Sequence, residues 1–273
     1  MKKSYELDMC NGPILGKILV FAIPLMISGI LQLLFNAADI IVVGRFTGSQ
    51  ELAAVGSTSA LINLIINLFI GVSVGANVVV ARNYGAKDYD GIHGAVHTSV
   101  LTAIWGGIIL IFVGILLARP MLEMMGTPED VINLSVLYMR IYFVGMPAFM
   151  MYNFGAAILR AIGDTKRPLY FLTLSGVVNV VLNLFFVIVF HMGVAGVALA
   201  TIISQAISAF LIILCLMKMD GPCHLDFKHL KFHPEQLKSM LRIGLPAGLQ
   251  GAIFSISNVL IQSSVNSFGS QVM

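Results

Sequence analysis

A single carboxylate, Asp39, lies in an apolar run from Ile18 to Val43 that carries no other charge. Gln32 and Asn36 precede it at intervals that put all three on one stripe of a helix. Further polar pairs recur at i, i+4 spacing inside other apolar segments: Asn63 with Asn67, Asn179 with Asn183, and Thr201 with Gln205. An ionised carboxylate in hydrocarbon costs at least ~2.5–3.5 kcal/mol on insertion scales. A proton removes that charge. So does a bound Na+, with Asn179, Asn183 and Thr201 supplying neutral oxygens around Asp39 and the charges summing to zero. A group that is comfortable only when a cation occupies it can be loaded on one face of a membrane and emptied on the other. The competing reading is that Asp39, about 8 Å of helix inside Gly44, reaches the outer interface instead.

Other chemistries find less support. There is no phosphate-binding glycine loop, no GxSxG and no HExxH, and Asp39 has no paired acid, metal set or base-activated nucleophile of the kind a membrane-embedded enzyme needs. His93 and His97 have metal-pair spacing but flank Gly94 at the cytoplasmic start of the third segment and read as interfacial; His224, His229 and His233 read as solvent-facing. Cys10, Cys215 and Cys223 form neither a disulfide framework nor a zinc motif. No cofactor is expected beyond a coupling ion. The net charge is only +3 and no basic, aromatic-interleaved patch exists, which argues against nucleic acid.

The elements that must position these residues are membrane helices. Hydrophobic residues make up 58% of the chain and charged residues 11%, with mean hydropathy +0.93, against about 25% charged residues in a soluble domain. Seven apolar segments, roughly 18–44, 52–80, 96–118, 131–158, 169–189, 194–217 and 237–267, are each long enough to span a bilayer. Several exceed the minimum, which predicts tilt or a kink. Pro24 removes a backbone hydrogen bond from the first segment and is expected to bend it. Lys2, Lys3, Lys17, Arg82, Lys87, Arg160, Lys166, Arg167, Lys218, Lys228, Lys231, Lys238 and Arg242 fall at one side of this alternation, leaving Arg45 and Arg119 opposite and Arg140 snorkelling within the fourth segment. The positive-inside rule then makes the N-terminus cytoplasmic. Asn63, Asn67, Gly71 and Gly75 share a face that reads as a helix-packing device.

The first segment also recurs. At an offset of 222 residues Pro24 aligns with Pro246, Gly29 with Gly251 and Asn36 with Asn258, and "FTGSQ" returns as "FGSQ". An even number of intervening segments makes this a parallel repeat. The expected architecture is an all-α membrane protein. A six-helix lobe covers 1–217, a cytoplasmic loop 218–236, and 237–273 is the first helix of a second lobe, cut short. Doubling the offset implies about 440 residues and twelve helices in the intact protein.

"NAADIIVVGR", "ARNYGAKD", "ILRAIGDTKRPLY" and "GVAGVALATIISQ", in order along the chain, resemble the multidrug and toxic compound extrusion (MATE) transporters. The resemblance implies two six-helix lobes around a central cleft, acting as a monomer in the plasma membrane. It implies export of amphiphilic or cationic organic compounds in exchange for H+ or Na+. Pro24 matches that family's bending proline and Asp39 its coupling carboxylate, with Gln32, Asn179, Asn183 and Thr201 at the polar positions around it. Some relatives carry a second acid where this chain has Asn183, a departure that leaves the ion's identity open. Asn36, Tyr142, Phe149, Met150, Met151 and Phe154 are candidates for an adaptable substrate wall, with a lipid-facing role for most of them as the equal alternative. A lipid-linked precursor flippase of the same superfamily is the alternative, although Arg140 alone would be available in the membrane to meet phosphates.

Overall fold

The structure, a computed structural model, describes residues 14–269. Lys2, Lys3, Cys10 and the last residues of the repeated "FGSQ" lie outside them. All regular structure among the described residues is helical: α1 (Ile14–Phe46), α2 (Ser49–Gly85), α3 (Tyr89–Met124), α4 (Glu129–Val144), α5 (Met146–Ala161), α6 (Lys166–Leu184), α7 (Gly193–Lys218) and α8 (Pro234–Asn266). Phe185–Val189 continues α6 as a π turn, and Phe227–His229 forms a 3₁₀ turn in the loop before α8. Six of these helices are long and apolar enough to cross a membrane, and α4 with α5 makes a seventh span bent by 49°. Every span starts before its apolar segment, and most also end beyond it, because hydropathy marks only the hydrocarbon-embedded part.

The kink expected from excess length falls at Gly145. Pro147 has no N–H to continue the α4 ladder, and two glycines make room for the bend. A Cβ on Gly107 would lie 2.4 Å from Pro147 Cα, and one on Gly145 would lie 2.7 Å from Ile202. By contrast α1 runs as one helix through the buried Pro24, where the Ser28 hydroxyl donates to the Pro24 carbonyl at 2.8 Å.

The "IGDTKRP" segment is a capped turn. Gly163 takes φ +86°, and the buried Asp164 carboxylate accepts from the backbone N–H groups of Lys166 and Arg167 at 3.2 and 3.1 Å. It also pairs with the Arg167 guanidinium at 3.1 Å. This arrangement starts α6 at a defined height and direction.

The core lies between α2, α3, α5 and α7, with Ala76, Ala103, Leu110, Phe143, Ile158 and Ile212 fully enclosed. α8 packs along α2 through the small-residue face singled out in the sequence. A Cβ on Gly75 would lie 2.1 Å from the Met240 carbonyl oxygen, and one on Gly71 2.2 Å from Gly248 N. Beside this contact Asn67 donates to Ser255 at 2.7 Å, and near the far end Asn266 donates to the Met125 carbonyl at 3.2 Å.

Two readings of the histidines are corrected. His97 is fully buried, with Nδ1 2.8 Å from the His93 carbonyl and Nε2 3.2 Å from the carbonyl of Asp226. The loop before α8 is therefore docked on α3, with Cys223 and Leu225 buried beside it, and His233 packs against Gly94. His224 and His229 are exposed, as expected. Replacing His97 by Ala is expected to release this loop, with tryptic cleavage at Lys228 and Lys231 several-fold faster and the helical content unchanged.

Candidate functional site

Three helix faces converge beside Asp39. α1 contributes Gln32, Phe35, Asn36 and Asp39; α6 contributes Leu172, Ser175, Gly176 and Asn179; α7 contributes Thr201, Ser204, Gln205 and Ser208. Each set repeats at three- and four-residue intervals, so each is one stripe of its helix. Phe149 and Tyr152 of α5 complete a cavity of about 70 Å³. At roughly 30 Å³ of liquid volume per water it has room for two or three waters. Drug-sized ligands need about 300–1,000 Å³, so this cavity suits an ion with part of its hydration.

A hydrogen-bond chain runs along the cavity's upper edge. Asn183, fully buried behind the lining, donates through Nδ2 to Asp39 Oδ1 and also to Asn179 Oδ1 at 3.3 Å. Asn179 Nδ2 in turn meets Thr201 Oγ1 at 3.4 Å. The Thr201 hydroxyl spends its proton on the Val197 carbonyl, 3.0 Å away. Ser175, Ser204 and Ser208 do the same to Leu172, Thr201 and Gln205, at 3.0, 2.8 and 2.8 Å. These four hydroxyls therefore offer only lone pairs elsewhere. Asn183 Oδ1 is buried with no hydrogen-bond donor. The lining contains a carboxylate, amides and acceptor hydroxyls, and no Lys, Arg or His. Such a wall favours a cation. Among the described residues no three His, Cys, Asp or Glu side chains gather into a metal-binding group, so a single carboxylate and neutral oxygens match a monovalent ion in charge.

Of the residues anticipated at the coupling position, Asp39, Asn179, Thr201 and Gln32 line the cavity, and Asn183 holds Asp39 from behind. Asn36 and Phe149 of the candidate substrate wall also line it, while Tyr142 faces a small adjoining cleft at the α4–α5 bend. Met150 and Phe154 do not belong to a wall. They are 0% and 1% exposed in the helix-packing core, and Met151 is buried with them, because the bend at Gly145 turns that face of α5 inward. Sequence reasoning passed over Phe35, Tyr152, Ser175, Gly176, Ser204 and Ser208. Stepping three or four residues from Asn179 and Thr201 along their helices would have found Ser175, Gly176, Ser204 and Ser208.

Phe35 and Gly176 set the register of α1 on α6. A Cβ on Gly176 would lie 1.9 Å from the Phe35 ring, so the ring occupies a notch that only glycine leaves open. Phe35 is one turn from Asp39 on the same face. Gly176→Val is expected to expel the ring and pull Asp39 from Asn183, lowering the thermal unfolding temperature of the detergent-solubilised protein by several degrees. Gly176→Val combined with Phe35→Ala should recover most of that loss.

These features define a polytopic membrane protein whose helix lobe holds a cation-favouring polar pocket. The MatE family profile matches residues 24–185. The chain is 33% identical to the probable multidrug resistance protein YoeA of Bacillus subtilis (strain 168), over 92% of this chain and 56% of the relative. It superposes on a MATE crystal structure in the bent conformation with a TM-score of 0.82 at 30% identity, covering 89% of this chain and 54% of that one. An inward-facing multidrug resistance MATE transporter of the MOP superfamily superposes with a TM-score of 0.82 at 28% identity, covering 92% and 58%. The chain belongs to the MATE family. It spans a little over half the length of the curated relatives it matches.

Proposed function

We propose that this chain is the cation-coupling lobe of a transporter that exports amphiphilic or cationic organic compounds by alternating access. In this reading its N-terminus is cytoplasmic and it works in the plasma membrane, as a monomer once a second lobe completes it. The observation that carries the proposal is a lone carboxylate in a lining of neutral polar groups with no basic side chain: Asp39 is bonded to Asn183, whose own oxygen is buried without a donor. H+ or Na+ entering from outside neutralises Asp39. α1 then adjusts about Pro24, the cleft beside the lobe narrows, and the organic compound leaves outward. The cation departs to the cytoplasm when the lobes rock. Inward movement of one charge through 100 mV yields about 2.3 kcal/mol, enough for roughly fifty-fold accumulation of a neutral compound. The solved MATE structures in bent and inward-facing forms support a lobe that changes shape.

The chemistry is transport, with no catalytic group required. The flippase alternative gains no support from the pocket, since a phosphate needs cations and Arg140 is exposed and does not line it. The test is transport by the full protein in vesicles with pH and sodium gradients imposed separately. Export driven by one gradient and abolished by its collapse is the expected result. Export indifferent to both would remove cation coupling.

A further inference from the structure

The pocket continues past Asp39 toward the basic end of the lobe. On α6 the lining descends from Asn179 through Ser175 to Leu172, and on α7 from Thr201 through Ser204 to Ser208. α6 begins at Lys166 and α7 ends at Lys218, so both rows run toward the end that carries most of the basic residues. The span from Asn183 to Leu172 is about 16 Å of helix. Every serine on it donates to its own helix, so each of these hydroxyls presents only acceptor lone pairs to the row.

The row stops at Tyr152. This ring lines the inner end of the cavity, and its hydroxyl donates to the Pro168 carbonyl at 3.1 Å. Pro168 directly follows Lys166 and Arg167, so this bond lies within one turn of the level where basic side chains meet headgroups. Two turns further along α5, Arg160 is tied to the Ala156 carbonyl at 3.1 Å. A fixed guanidinium beyond the ring opposes a cation that arrives while the ring is shut.

Resting on the coupling reading above, we propose that the monovalent cation leaves Asp39 through the interior of the lobe, along Ser175, Ser204 and Ser208, and that Tyr152 is the inner gate of this path. The gate opens when the Tyr152–Pro168 bond is given up, which a small separation of α5 from α6 accomplishes. The organic compound never enters this path, because the cavity is too narrow for it. Cation and export product thus travel by separate routes, and the gate prevents the ion gradient from running down without export.

The experiment measures cation entry into vesicles containing the full protein, at an imposed potential and with no organic substrate. Separate pH-sensitive and sodium-sensitive dyes identify the ion. Tyr152→Ala is expected to leak at least tenfold faster than the native protein, and Tyr152→Phe, which keeps the ring and loses the bond, to leak faster than native but less than Tyr152→Ala. Adding Ser208→Leu to Tyr152→Ala should close the leak by filling the row. A Tyr152→Ala protein as tight as the native one, or a leak indifferent to Ser208→Leu, overturns the path. If Tyr152→Ala does not fold, Ser208→Leu alone decides: the expected result is a tenfold lower maximal rate of cation-driven export with the half-saturating substrate concentration unchanged, and an unchanged rate overturns the proposal. Asp39→Asn in the same vesicles keeps the two readings distinct. Native export by Asp39→Asn would refute coupling at Asp39, whereas the leak measurements judge the gate.

Discussion

Asp39→Asn in the full protein is expected to reduce cation-driven export by at least about a hundredfold while membrane insertion and folded yield stay native. Asparagine has nearly the shape of aspartate, and its amide oxygen can still accept from Asn183, so the α1–α6 contact survives. What disappears is the only charge in the pocket lining. A cation would then face amides and hydroxyls alone, and its dehydration would no longer be offset by a counter-charge. A hundredfold loss corresponds to about 2.7 kcal/mol, modest for removing a charge partner from a partly enclosed site. The measurement is the initial rate of dye or drug uptake into inverted vesicles, paired with Asp39→Glu. The longer acid retains the charge and should retain part of the rate. Native rates from Asp39→Asn would leave the pocket without a coupling role.

The second large effect is structural. Gly75→Leu is expected to prise α8 from α2. At Gly75 and Gly71 the atoms that a Cβ meets belong to the backbone of α8, at 2.1 and 2.2 Å, so no side chain can swing aside. The helices must separate, and with them goes the Asn67–Ser255 bond. Overpacking of this kind costs about 1–3 kcal/mol, occasionally more. Thermal unfolding in detergent should fall by several degrees, and an engineered disulfide between α2 and α8 should form more slowly. Gly56→Ala is the control, because nothing lies within 4 Å of the Cβ it would add. If Gly75→Leu unfolds at the same temperature as Gly56→Ala, the close approach of α2 and α8 is not made in solution.

The two variants probe different levels of the molecule, and those levels were unequally legible in the sequence. That the chain is a set of membrane helices followed from residue-by-residue transfer free energies, which sum along a segment whatever its neighbours are. Seven apolar segments became seven spans. The loading of Asp39, Asn179 and Asn183 onto helix stripes followed from periodicity alone, because 3.6 residues per turn needs no tertiary information. Gly71 and Gly75 were readable as a packing face for the same reason.

Which faces meet was decided only in three dimensions. Lipid tails are as apolar as leucine, so hydropathy does not distinguish a lipid-facing methionine from a core one. Met150 and Phe154 were accordingly assigned to a substrate wall or to lipid, and they are buried in the helix-packing core instead. The same blindness hid Tyr152 and the notch at Gly176, whose roles depend on Pro168 and on Phe35 of a distant helix. His97 read as interfacial because its partner, the Asp226 carbonyl, lies 129 residues away. Local chemistry along one helix determined what each stripe can bind. The crossing of α1, α5, α6 and α7 determined that four of those stripes enclose a single pocket, since only contact between helices can take a carboxylate's surroundings out of lipid and make them oxygen.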